Sequence, residues 1–134
     1  MSYKALFDLS GQVAVVTGSS KGIGRVIAEA LAEAGAKVAV SSRREESCAP
    51  VAEAINEAGG EAVAIPCHMS KAEQIDPLVD GVMSKWGRID ILVCNAAVNP
   101  HFGPMATVTE EAYDKVLNTN VKHNLWLCNR VLPQ

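Results

Sequence analysis

The sequence predicts an α/β protein in which a parallel, doubly wound sheet carries helices on both faces. Four short apolar runs lack the period-two alternation of a half-solvated strand, so each suits a strand buried on both sides. Between them lie segments with apolar residues at helical spacing, and glycines punctuate the changes from one to the other. Strict alternation of strand and helix then requires right-handed crossovers and a sheet covered on both faces.

Residues 12–17 (Gln-Val-Ala-Val-Val-Thr) are β-branched and apolar and form the first predicted strand, ended by Gly18. Helical spacing of Ile23, Val26, Ile27, Ala30, Leu31 and Ala34 predicts a helix over 22–34, stopped by Gly35. Residues 37–41 form the second strand. Ser47 can cap a helix to about 58, with Pro50 tolerated in its first turn and Gly59-Gly60 stopping it. A third strand follows over 62–67. Ser70 opens a helical stretch that Pro77 restarts with Asp76 as cap, and Gly87 ends it. The fourth strand covers 89–94. Pro100, Gly103 and Pro104 make 95–108 a loop, and Thr109-Glu-Glu-Ala begins one long helical segment to 131.

Composition narrows the function classes. The 134 residues are 49% hydrophobic and 20% charged, the makeup of one globular domain. Fifteen acidic against twelve basic residues leave a net charge of -3 with the basic ones scattered, which argues against nucleic acid as a partner. No apolar run approaches the ~18 residues of a membrane span. The first eleven residues lack the apolar stretch of a secretory signal, so a cytoplasmic protein is expected. Cys48, Cys67, Cys94 and Cys128 are far apart, which implies no disulfide scaffold. Together with His68, His101 and His123 they lack the close spacing of a zinc site, so no metal is expected. Cys67 and Cys94 sit inside apolar runs and read as small hydrophobes. Trp86 and Trp126, at helical positions, read as core or interface aromatics.

Thr17-Gly-Ser-Ser-Lys-Gly-Ile-Gly24 is the most informative stretch. It joins a strand to a helix whose N-terminus offers free N–H groups and a positive dipole end, a seat for a pyrophosphate. Gly18 permits the tight turn, Gly22 permits close approach of ligand to backbone, and Gly24 lets the helix pack on the strand. The spacing is Gly-x-x-x-Gly-x-Gly, and the same glycines also suit a tight βα turn with no ligand.

Three motifs in order, Thr17-Gly-x-x-x-Gly-Ile-Gly24, Asn95-Ala-Ala97 after the fourth strand, and Asn120 in the following helix, resemble the classical short-chain dehydrogenase/reductase family. The stretch Asn95-Ala-Ala-Val-Asn-Pro100 is similar to a carbonyl-reductase branch of it. The resemblance implies a Rossmann-type sheet, truncated after the fourth strand and its helix, with residues 1–134 as the dinucleotide-binding portion and the C-terminal catalytic part absent. It implies a cofactor site lined by Gly18, Ser20, Lys21, Gly22, Ile23, Gly24, Ser42, Arg43, His68, Asn95, Ala96 and Ala97. Asn120 is the one catalytic-type residue, matching an Asn that holds a relay water in such enzymes. Its other reading is a helix break shared with Asn118. Asn95 resembles the residue that holds the central strand against the cofactor side.

An acid at the end of the second strand would bind a ribose 2′-hydroxyl, whereas this chain has Ser41-Ser-Arg-Arg44. Arg43 offers a charged fork suited to a 2′-phosphate and Lys21 adds a cation, so NADP(H) is the expected cofactor. A solvated Arg pair leading into Glu45 and Glu46 is the bland reading. His68 stands where the family has an Asp, and a neutral imidazole could accept from the adenine amine or simply pack. The family's Ser and Tyr-x-x-x-Lys are absent: Tyr3 and Tyr113 are followed four residues on by Phe7 and Leu117, and Tyr113 reads as helix packing. An oxidoreductase portion that is inactive alone is therefore expected. The alternatives are a catalytically dead nucleotide-binding or subunit-interaction module, or a fragment that binds nothing. A carbonyl or alcohol substrate would come only with a completing C-terminal half, His101, Phe102 and Met105 being the rim residues present. Val121, Leu125, Trp126, Leu127, Val131 and Leu132 would expose an apolar stripe, so a homo-oligomer or a complementing chain is expected.

Overall fold

A computed structural model describes residues 2–133. Its elements are α1 Tyr3–Leu6, β1 Val13–Thr17, α2 Gly22–Glu33, β2 Lys37–Ser41, α3 Glu45–Glu57, β3 Glu61–Ala64, α4 Ile75–Trp86, β4 Ile91–Val93, α5 Glu110–Leu117 and α6 His123–Val131. The four strands form one parallel sheet in the order β3-β2-β1-β4. The chain winds outward through β1, β2 and β3, then crosses back to place β4 on the other side of β1. The predicted doubly wound architecture is therefore present.

Alternation along the strands sorts the core into two layers. Ala14, Val16, Val38, Val40 and Ala62 pack with Ala28 and Ala32 of α2 and with Val51, Ala52 and Ile55 of α3. Val13, Val15 and Ala39 face the other way, against Leu78, Val79 and Val82 of α4 and Leu127 of α6. Burying each Val or Leu completely contributes about 1.5–3 kcal/mol. Arg130 also joins α6 to Asp76 at 2.5 Å and Asp80 at 3.2 Å on α4. These pairs are exposed and screened by solvent, so Leu127 is the stronger anchor.

Several boundaries differ from the sequence expectation, each for a local reason. Helix α3 starts at Glu45 rather than after Ser47, because Glu45 and Glu46 supply the first-turn acids that a helix N-terminus favours. Pro50 thus falls in the second turn; it and Glu46 are exposed, so water can reach the carbonyl left without a donor. Strand β3 ends at Ala64, short of the predicted 67. Ile65 and Cys67 still donate to Val40 and Ser42 at 3.0 and 2.8 Å, so pairing with β2 continues past the regular strand, and Pro66 sits on the open edge where no N–H is needed. A 3₁₀ turn, Ala72–Gln74, precedes α4, and Gln74 occupies the cap position expected for Asp76. Gly87, at φ 73°, ends α4 as predicted.

Strand β4 is three residues long, against six expected; just before it Asp90 grips Val13 twice, its N donating to Val13 O at 2.8 Å and its carboxylate accepting from Val13 N at 2.8 Å, with Arg88 paired to it at 2.6 Å. The segment expected as one helix is interrupted by a π turn, Asn118–Lys122, between α5 and α6. Thr109 does cap α5, accepting from Ala112 N at 3.2 Å. Tyr113, read as a packing residue, is exposed, and so is Cys94. Of the anticipated stripe, Val121, Leu125, Trp126 and Leu132 are exposed, whereas Leu127 is buried and Val131 half-buried under the sheet.

Candidate functional site

In an open parallel sheet the strand order reverses at one crevice, and here that crevice lies between β1 and β4, at their C-terminal ends. Both informative motifs reach it. The turn after β1 carries the glycines, and Asn95-Ala-Ala97 follows β4.

Glycine is demanded at Gly18 and Gly24 by close packing. A Cβ on Gly24 would fall against the Gly18 carbonyl oxygen and Asn95 Nδ2, and one on Gly18, at φ 64°, would meet Ala96 Cα and Asn95 Nδ2 at 2.9 Å. At Gly22 the demand is conformational: φ is 57°, and a Cβ would enter open space. That open space lies at the first residue of α2. Lys21, the N-cap, makes no side-chain cap bond, and no acidic residue occupies the first turn, so the helix dipole there is uncompensated.

Asn95 holds the crevice together. Its Nδ2 donates to Thr17 O and Gly18 O, both at 3.0 Å, while its backbone N and that of Ala96 donate to Thr17 Oγ1 at 3.1 Å. Thr17 Oγ1 in turn donates to Val93 O at 3.3 Å. Ser19, fully buried, donates from Oγ to Val16 O at 2.6 Å and accepts from Ser41 N at 2.9 Å, fixing the glycine turn to the end of β2. Thr17 and Ser19 were not singled out as site residues from the sequence. Small hydroxyl residues flanking the first glycine of a strand-to-helix turn are the signal that could have found them.

The other predicted residues lie around this frame. Ser20 is half-buried, and Lys21, Gly22 and Ile23 are exposed at the turn. Ser42 contacts Cys48 Sγ at 3.1 Å, and Arg43 is exposed with no ion pair among the described residues. His68 is half-buried beyond β3. Burial, then the Lys71, Arg43 and Lys115 charges, hold its pKa below the usual histidine value. Its Nδ1 accepts from Ser70 N at 3.2 Å, which leaves Nε2–H as a donor in the neutral ring. In that tautomer the free ring nitrogen offers a donor and not an acceptor. Lys71 and Lys115, not selected from the sequence, add their positive charge to that of Arg43 around His68.

Asn120 lies in the π turn. Its Oδ1 accepts from Val98 N at 2.8 Å and its Nδ2 donates to Val98 O at 2.9 Å, so the side chain clamps the loop that follows β4. The expected site residue and the expected helix break therefore fall in the same irregular turn. Nearby, Thr119 and Ser70 share a hydroxyl hydrogen bond at 3.0 Å, and His123 Nδ1 donates to Met69 O at 2.6 Å. These bonds fasten the π turn to the segment after β3. Phe102 and Met105, expected at the rim, are exposed, and His101 Nε2 lies 3.2 Å from Thr107 Oγ1. Among the described residues no three His, Cys, Asp or Glu side chains gather to hold a metal, and no helix is long and apolar enough to cross a membrane.

A family model described as short chain dehydrogenase matches residues 12–134. Dehydrogenase/reductase SDR family member 4 of Oryctolagus cuniculus is 43% identical over 126 residues, which covers 94% of this chain and 48% of that protein. Among solved structures, a metagenomic short-chain oxidoreductase in complex with NADP superposes with a TM-score of 0.87 at 40% identity, over 94% of this chain and 57% of its own. A short-chain type dehydrogenase/reductase from Mycobacterium marinum gives 0.92 at 37% identity, over 99% and 53%. The chain thus spans about half the length of the curated relatives it matches.

Proposed function

The chain belongs to the short-chain dehydrogenase family, and from that premise we propose that it is the NADP(H)-binding part of an oxidoreductase acting on a carbonyl or alcohol substrate. The observation that carries the reading is the crevice between β1 and β4, where the open space over Gly22 meets an uncompensated helix N-terminus. The glycine turn with Ser20, Lys21 and Ile23 would hold the pyrophosphate. Asn95, Ala96 and Ala97 would form the opposite wall, and Ser42, Arg43 and His68 would meet the adenosine end. The nicotinamide, when bound, supplies or accepts hydride. Asn120 acts by positioning the loop at Val98, since both ends of its amide are already engaged there.

Arg43 favours NADP(H) over NAD(H), and the NADP complex of the metagenomic relative supports the same choice. Calorimetric titration of the 134-residue chain should show tighter binding of NADPH than of NADH. Arg43→Glu should weaken NADPH by about 1.5–3 kcal/mol, roughly 10–150-fold, with little effect on NADH. Equal affinities in the parent chain would sink the 2′-phosphate assignment. The same chain should reduce no aldehyde or ketone, because no Tyr-x-x-x-Lys occurs in its 134 residues. Turnover in a preparation free of host reductases would overturn that reading.

A second reading, a subunit-interaction module without catalysis, is favoured by the exposed Val121, Leu125, Trp126 and Leu132. Beside them β4 pairs on one side only among the described residues, through β1. Self-association, or capture of a complementing chain, would cover both features. Light scattering at dilute concentration should find a species larger than a monomer, and hydrogen exchange should slow at 91–93 on assembly. A monodisperse monomer with those amides already protected would refute it. A cytoplasmic location accords with this reading.

A further inference from the structure

A cavity of about 470 Å³ opens between the segment after β3 and the helical face that runs from α5 through the π turn into α6. None of the residues assigned above to the nucleotide lines it. Lys115, Thr119 and Lys122 reach it at helical spacing, i, i+4 and i+7. In the π turn His123 N donates to Asn118 O, five residues back, and His123 joins the same wall. Ser70 and Glu73 complete the lining from the other side.

The protein leaves the polar groups of this cavity half satisfied. His123 is 8% exposed, and its Nδ1 lies 2.6 Å from Met69 O, which can only accept; Nδ1 therefore carries the hydrogen, and Nε2 of the neutral ring is an acceptor. Nothing among the described residues donates to that Nε2. Thr119, 2% exposed, shares one hydrogen bond with Ser70, so of their two O–H groups one donates within the pair and the other finds no acceptor among the described residues. Lys115, Lys122 and Glu73 take part in no ion pair among the described residues. Two ammonium groups against one carboxylate make the lining net positive, in a chain whose formal charge is -3. Thr119 lies about one helical turn from each lysine, so both four-carbon arms can reach an anion seated over its hydroxyl.

We propose that this cavity binds a phosphomonoester. The anionic oxygens accept from the Lys115 and Lys122 ammonium groups and from the free hydroxyl of the Ser70–Thr119 pair. One proton lies between a further phosphate oxygen and His123 Nε2, so the buried acceptor gains the donor it lacks. Sulfate has the same shape but brings no proton, and it leaves Nε2 unmet. The volume exceeds that of a bare phosphate group and leaves room for a small ester group beside Glu73, whose carboxylate accepts from ligand hydroxyls and repels a second anionic group.

The test titrates the isotopically labelled 134-residue chain with glycerol 3-phosphate, inorganic phosphate and sodium sulfate at matched ionic strength, and follows amide and imidazole nitrogen signals by NMR. Both phosphates are expected to shift the amides of Ser70, Thr119 and His123 and the Nε2 resonance of His123, with sulfate binding about tenfold more weakly. Lys122→Gln, at an exposed position, should weaken both phosphates about tenfold or more and leave the rest of the spectrum unchanged. Shifts confined to residues 18–24 and Arg43 would place the phosphate in the nucleotide crevice and overturn the proposal while leaving the cofactor reading intact. An unmoved His123 Nε2, equal affinity for sulfate and phosphate, or a Lys122→Gln variant that binds as the parent does would overturn it as well.

Discussion

Gly24→Val is expected to lower the stability of the chain by about 3 kcal/mol or more and to abolish nucleotide binding. The added Cβ would overlap the Gly18 carbonyl oxygen and Asn95 Nδ2. One of these is backbone, and the other is held by two hydrogen bonds of its own, so neither can yield without opening the β1–β4 crevice. A loss of that size is a large share of the ~5–15 kcal/mol that holds an ordinary domain folded. Gly22→Ala serves as the contrast, because its Cβ meets nothing within 4 Å and only the φ of 57° resists it. That change should cost about 1–2 kcal/mol, the penalty of one left-handed residue. Urea unfolding of the three proteins, followed by fluorescence, gives the comparison. Equal losses for the two variants would mean that the crevice yields to the added side chain, and that packing against Asn95 is not what makes Gly24 a glycine.

What could be read from the sequence here was local or periodic. The glycine turn and the strands around it are legible because a strand buried on both faces reads as a continuous apolar run, as 13–16 does ahead of Thr17. Gly87 is legible as a helix stop because its signal is its own backbone freedom. The missed features are side chains that bond backbone far away in sequence. The Asp90 carboxylate takes the N–H of Val13, and Asn120 clamps Val98; neither partnership leaves a mark in the neighbouring residues. The π turn was missed for a related reason. Its extra residue is held by Thr119 to Ser70 and His123 to Met69, contacts that exist only once β3 and α4 have brought that segment alongside. The glycines and Asn95 that meet at the crevice were legible by resemblance, yet the motifs are silent on the Ser70 contact that engages His68 Nδ1 and leaves Nε2 as a donor.

Asn95→Ala should cost about 2–4 kcal/mol, from two backbone carbonyls, Thr17 O and Gly18 O, that lose their shared donor in a part-buried place. Thr17→Val, nearly the same shape, removes the oxygen that accepts from Asn95 N and Ala96 N, and should cost about as much. The two losses should not add. Each variant alone frees the 95–96 segment from one of its two attachments to the end of β1, and once either is gone the second holds a segment already displaced. The double variant should therefore be more stable than the sum of the single losses predicts, by about 0.5–3 kcal/mol. Denaturant melts of the four proteins measure this coupling directly. The nucleotide affinities should follow the same pattern, because in this fold the wall formed by Asn95 to Ala97 and the glycine turn are two sides of one crevice. Strict additivity in stability would show instead that Thr17 and Asn95 anchor the strands independently, and the crevice would then owe its shape to the glycines alone.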